Sequence, residues 1–239
     1  ERFPGRRILS VDLHGHGRSE GGPISRWLDV TDKISALLDQ LRIRGAVGIG
    51  HSMGGHTLAQ CAGDHPEAFS HLILFAPVIM DPRFYEATDG FFSSDAPHPA
   101  IRRKRDFASP EAMIERFRNR DPYELFDPRV FEDYCRHGLR KKADGEGFEL
   151  ACLPEVEASF YGASRTNPGV HEVVKRIEIP TVVVRAKQTE LMDFKSSPTW
   201  PMLADQMPKG IDMPRPDRTH FHPFEDPADA ARIIREAIA

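Results

Sequence analysis

The stretch Ala46-Val47-Gly48-Ile49-Gly50-His51-Ser52-Met53-Gly54-Gly55 decides how this chain is read. Its first four residues are a short apolar run, the pattern of a buried strand. From Gly55 to about Ala62 the residues suit a helix. Between the two lies Gly50-His51-Ser52-Met53-Gly54, which fits G-x-S-x-G. Strand, sharp turn and helix form the context in which that motif presents a serine hydroxyl. A serine on so tight a turn holds strained backbone, and side chains two residues before and after it would clash; glycine at both places removes the conflict. The turn lifts the Ser52 hydroxyl clear of the sheet. It also brings the Met53 N–H to a helix N-terminus, aimed where an oxyanion would develop. The competing reading is a glycine-rich turn with an incidental serine, and the flanking strand and helix weigh against it.

Two further stretches agree with the first. Asp12-Leu13-His14-Gly15-His16-Gly17-Arg18-Ser19 follows the apolar run Ile8-Leu9-Ser10-Val11 and reads D-x-x-G-x-G-x-S. Thr219-His220-Phe221-His222-Pro223-Phe224-Glu225-Asp226-Pro227 reads T-H-F-x-x-x-E-x-P. Together the three motifs resemble the α/β-hydrolase superfamily over nearly the whole chain. The resemblance implies an α/β fold: a mostly parallel sheet flanked by helices, with a helical lid inserted between core strands. It implies Ser52 as nucleophile and His220 as base, in the chain order serine, acid, histidine. His222 is the competing histidine, and the matching offsets of Glu225 and Pro227 favour His220. Thr219 stands where the family usually has glycine. The resemblance gives Asp12, His14 and His16 structural roles in a loop beside the site.

The acid is less sharply marked. Relatives often place it just beyond the strand that Thr181-Val182-Val183-Val184-Arg185 predicts. A G-x-x-D pattern is absent there; the sequence runs Ala186-Lys187-Gln188-Thr189-Glu190-Leu191-Met192-Asp193. Asp193 lies at a family-like distance before His220, and Glu190 is the alternative. The resemblance also implies three strands before Asp12, the third ending in a His-Gly oxyanion loop. Nothing between Glu1 and Asp12 matches them. The expectation is a chain lacking those strands and the second oxyanion donor, incomplete for catalysis as it stands. Its sheet should show either a gap or a forced pairing between the strand ending at Asp12 and the one ending at Gly50.

Elsewhere Arg6–Val11 reads as a strand and Ile24–Ile43 as an amphipathic helix, stopped at Arg44-Gly45. Trp27 on that helix reads as core. His71–Ala76 reads as the next strand. From about Asp81 to Thr166 prolines and charges rise. Ser109-Pro110-Glu111, Asp127-Pro128 and Leu153-Pro154-Glu155 are helix starts, each with proline at the first helical position. The expected organisation is a core of residues 1–80 and 167–239 with a helical lid over 81–166. Phe84, Tyr85, Phe91, Phe92, Phe160 and Tyr161 supply its aromatic packing and pocket lining. Arg102-Arg103-Lys104-Arg105 reads as a solvated helix face. Asp226–Ala239 reads as a closing helix.

The composition fits this picture. A chain of 239 residues with 40% hydrophobic content can bury a core. A net charge of −4 offers no electrostatic case for nucleic acid. No apolar run is long enough to span a bilayer. Cys61, Cys135 and Cys152 are odd in number and lack metal spacing, so they read as reduced thiols in a cytoplasmic setting. The expected chemistry is hydrolysis of a small, apolar carboxylic ester or lactone through an acyl-enzyme on Ser52, without metal or cofactor. Carbon–carbon bond hydrolysis of a ring-cleavage diketone is the alternative within the same machinery. A binding member of the fold, or an inactive fragment, is the alternative outside it. The oligomeric state is not legible.

Overall fold

The computed structural model describes residues 3–86, 98–189 and 195–239. Among them, seven strands form two sheets. The central sheet is wholly parallel, in the order β1 (Ala46–His51), β2 (Phe69–Phe75), β6 (Thr181–Ala186), β7 (Gly210–Arg215). A small antiparallel sheet is formed by β3 (Asp106–Phe107), β5 (Phe148–Leu150) and β4 (Leu139–Lys141). Strands β2 and β6 are almost continuously apolar, as expected when both faces of a parallel sheet are covered.

Alternation along those strands sorts the core into two layers. Leu72, Leu74 and Val183 pack with Leu38 of α1 (Leu28–Gln40), Ala59 and Ala62 of α2 (Met53–Asp64), and Val170 and Val174 of α7 (Val170–Val174). Ile73, Phe75, Val182 and Val184 face the other way, onto Ala230, Ile233 and Ile234 of α9 (Pro227–Ala237). Trp27 is buried, as its spacing predicts.

Between β2 and β6 the chain makes α3 (Arg83–Glu86), α4 (Pro110–Phe117), α5 (Pro128–His137), α6 (Pro154–Ala163) and the small sheet. The proline-start signals are accurate here. The Ser109 hydroxyl accepts from the Ala112 N–H, and the Asp127 carboxylate accepts from Arg129 and Val130. The three short strands are a departure from an all-helical insertion; at two or three residues each they leave no period to detect.

Other expectations are corrected. Helix α1 starts at Leu28, not Ile24, because Ile24 and Trp27 donate their N–H groups to Ser159 and Thr166 of the insertion instead of joining a helix. In Arg102–Arg105 the residues Arg102, Lys104 and Arg105 are exposed as expected, but the run forms no helix face. Arg103 turns inward to Glu157 at 2.6 Å and to the hydroxyls of Tyr123 and Tyr134, and Arg105 pairs with Glu149. Strand β7 carries Asp212 and Pro214, which hid it from a hydrophobic pattern; proline is tolerated because β7 is an edge strand.

Arg6–Val11 forms no strand. Ile8, Leu9 and Val11 are exposed, and among the described residues β1 pairs only with β2. Neither expected outcome is seen, because Arg6–Val11 supplies no strand to lie across a gap from β1 or to pair with it. A six-residue strand with no partner has nothing to satisfy its backbone groups, so it stays irregular. Ile49 on β1 is exposed for the same reason.

Candidate active site

Ser52 joins β1 to α2 with φ 55° and ψ −118°, a region that residues with a side chain rarely enter. Its neighbours over-determine the turn. The Ser52 N–H donates to the Phe75 carbonyl at 2.9 Å, and the Ser52 carbonyl accepts from Gly55, His56 and Val78. A Cβ on Gly50 would lie 2.6 Å from the Gly54 carbonyl oxygen, so that glycine is required. Gly54 is different: a Cβ there meets nothing within 4 Å, and the expected clash on that side is absent. The first residue of α2 is Met53, whose N–H has no acceptor within the helix. The Met53 side chain packs against the buried cluster of Val30 with Val156 and Phe160 of the insertion, which brings α6 to the elbow.

His220 reaches this serine from a loop after β7. Its Nε2 lies 3.0 Å from the Ser52 Oγ. The loop is held by several contacts. The His220 N–H donates to the Lys195 carbonyl at 2.8 Å. Thr219, in place of the usual glycine, donates its hydroxyl to Glu225 and accepts from the Phe221 N–H. The insertion docks on the same loop: the Asp127 N–H donates to the Phe224 carbonyl, and the Phe126 ring contacts both Phe221 and Phe224. His222 points elsewhere. It is buried, with Nε2 2.8 Å from Asp229 of α9, and is a structural partner of that helix.

Burial, helped by the neighbouring His51, pushes the pKa of His220 down to about 3. Its Nδ1 is buried, with no hydrogen-bond partner among the described residues. Asp193 and Glu190, the two carboxylates expected there, lie outside the described residues, as do Phe91 and Phe92.

Burial also pushes His51 and His56 down to about 4. Both are therefore neutral in the native state. The unfolded chain protonates them from about pH 6.5 downward, whereas the folded chain resists until about pH 4. Stability is present above the unfolded value and is lost as pH falls through this window. At pH 5 each contributes ~2 kcal/mol of destabilisation. Denaturant melts at pH 7.5 and pH 5.0 check this: the midpoint should fall, and an unchanged midpoint contradicts neutral burial of both rings.

The profile of the alpha/beta hydrolase family matches residues 1–233. The chain belongs to that family. The chain is 36% identical over 70 residues to an sn-1-specific diacylglycerol lipase, ABHD11 of Danio rerio, a match covering 29% of the chain and 22% of the relative. It is 28% identical over 187 residues to a type I acyl-CoA thioesterase, mpaH' of Penicillium brevicompactum, covering 71% and 41%. The matches thus span less than half the length of either relative. Among solved structures it resembles the peroxisomal alpha-beta-hydrolase Lpx1 of Saccharomyces cerevisiae, with TM-score 0.72 and 18% identity over 95% of this chain and 64% of that one.

The glycine-rich segment from Asp12 to Ser19 is tied together by its own hydrogen bonds. The Asp12 carboxylate accepts from the Arg18 N–H, and the Asp12 carbonyl accepts from the Ser19 hydroxyl. His14 contacts Lys33, and His16 meets Phe160 edge-on. Two surface depressions, of about 520 and 340 Å³, lie against α1 and between α4 and α5; neither is lined by Ser52 or His220. The expected apolar pocket opening on Ser52 is therefore neither of these. Asp39, His65 and Glu67 bring ligand atoms within 4.8 Å of one another near the C-terminal end of α2, the end away from Ser52, where Arg44 approaches Glu67 at 3.8 Å. No helix among the described residues is long and apolar enough to cross a membrane.

Proposed function

We propose that the hydrolase cleaves a small-molecule carboxylic ester through an acyl-enzyme on Ser52. The observation that carries this reading is the 3.0 Å contact between the Ser52 Oγ and His220 Nε2 on a strained elbow. A hydroxyl is a weak nucleophile until a base removes its proton. At neutral pH the His220 imidazole is neutral, so its Nε2 can accept that proton. The Ser52 oxygen attacks the carbonyl carbon, and the Met53 N–H donates to the oxyanion. The imidazolium then protonates the leaving alcohol. Water, deprotonated by His220, releases the acid and restores the serine. The steps need no metal or cofactor. Oxygen esters and thioesters share this route, consistent with relatives named as a lipase and a thioesterase. No feature of the site favours carbon–carbon hydrolysis.

Residues 81–166 serve in this reading as a lid on a core of residues 1–80 and 167–239. Its support is the packing of α6 on Met53 and of Phe126 on the histidine loop. The three unpaired cysteines suit a cytoplasmic protein. The test is fluorophosphonate labelling of the full-length protein: a single labelled serine, Ser52, is expected, and label elsewhere overturns the assignment.

The triad acid is proposed to be Asp193, with Glu190 as alternative. Asp193→Asn should lower kcat by about 10⁴-fold, through loss of the imidazole tautomer, and Glu190→Gln by far less. Steady-state kinetics of the two variants decide between them; the reverse ranking transfers the role to Glu190.

A further inference from the structure

His51 precedes the serine and closes β1, yet its side chain has no part in the reaction just described. Its ring lies against two residues of the histidine loop. The His51 and His220 ring centroids are 4.9 Å apart, and Phe224 meets His51 edge-on at 5.4 Å. Its Nε2 is 2.7 Å from the His220 main-chain carbonyl oxygen. A carbonyl only accepts, so the proton of the His51 ring is on Nε2. Burial keeps the ring neutral, so Nδ1 carries no proton.

This bond matters because of where His220 stands. It lies between β7 and α8 (His222–Glu225), outside both, so neither a ladder nor a helix holds its backbone. Its N–H is tied to Lys195 and its carbonyl to His51, while its side chain reaches Ser52. Adjacent residues of one rigid turn thus grip the backbone and the imidazole of the same histidine. A shift of either element would change the reacting distance.

We propose that His51 is a positioning residue: by donating from Nε2 to the His220 carbonyl it sets the distance between base and nucleophile. The proposal rests on the reading of Ser52 as nucleophile. His51→Phe keeps a ring against Phe224 but has no donor, and His51→Leu is a second, smaller donor-free variant. His51→Gln returns a donor to nearly the place of the ring Nε2.

The measurements are the rate of Ser52 labelling by a fluorophosphonate, kcat and KM on a chromogenic short-chain ester, and the melting temperature, all on the full-length protein. The donor-free variants should lose about 10- to 100-fold in kcat and labelling rate, the effect of a misplacement of up to an ångström. KM should stay within about twofold, and His51→Gln should recover most of the loss at a melting temperature no higher than theirs. Wild-type rates in the folded donor-free variants, or equal impairment of the glutamine variant, overturn the role of His51 and leave Ser52 standing. A wild-type protein left unlabelled at Ser52 overturns both.

Discussion

Replacing Ser52 by alanine should lower ester turnover by at least about 10³-fold, and by as much as about 10⁶-fold, while leaving the fold intact. The expected loss is large because His220 then has no nucleophile to deprotonate, and the residual rate comes from binding and the oxyanion donor alone. The fold survives because the elbow is held by backbone groups. The Ser52 N–H to Phe75 bond and the three bonds to the Ser52 carbonyl are untouched by removal of the hydroxyl. Only the hydrogen bond to His220 is lost, worth about 1 kcal/mol. A chromogenic ester assay with a thermal melt checks both halves. Turnover near the wild-type rate in the alanine variant would remove Ser52 from the mechanism.

Alanine at Gly50 and alanine at Gly54 should have opposite effects. At Gly50 the new methyl lies 2.6–2.7 Å from the Gly54 carbonyl group and the Gly55 nitrogen, all backbone atoms of the first turn of α2. They yield only if the turn itself moves, which displaces Ser52 from His220. A destabilisation of about 1–3 kcal/mol and a rate loss of about 100-fold are expected. At Gly54 the methyl enters open space inside a helix, where alanine is favoured over glycine by up to ~1 kcal/mol. Its melting temperature should hold or rise. Circular dichroism melts of the two variants test the contrast, and equal destabilisation would show that the motif needs both glycines for packing.

Much of this arrangement is carried by short runs of residues whose meaning is local. The elbow glycine, the proline-started helices at Pro110, Pro128 and Pro154, and the Asp226 cap of α9 act within a turn of their own position, so spacing reveals them. The near-continuous apolar runs of β2 and β6 likewise announce strands buried on both faces. The pairing of Ser52 with His220 was legible only through motif resemblance, since 168 residues separate the partners. Spacing alone distinguishes His220 from His222 weakly; the structure separates them by giving His222 to Asp229.

The chain's own order of residues therefore determined the parallel α/β core, the strained serine and the family. Tertiary structure decided what meets across distance. It gave Arg6–Val11 no strand structure and, among the described residues, no strand to pair with, leaving Ile8, Leu9 and Val11 exposed. It turned Arg103 into the insertion, because Glu157 and two tyrosine hydroxyls could satisfy its charge there. It gave Thr219 a hydroxyl bond to Glu225 and brought the His51 ring to the His220 carbonyl. Such contacts depend on sheet register and on how a loop docks. Both are set by the sum of many packing interactions, and no single stretch of sequence encodes them.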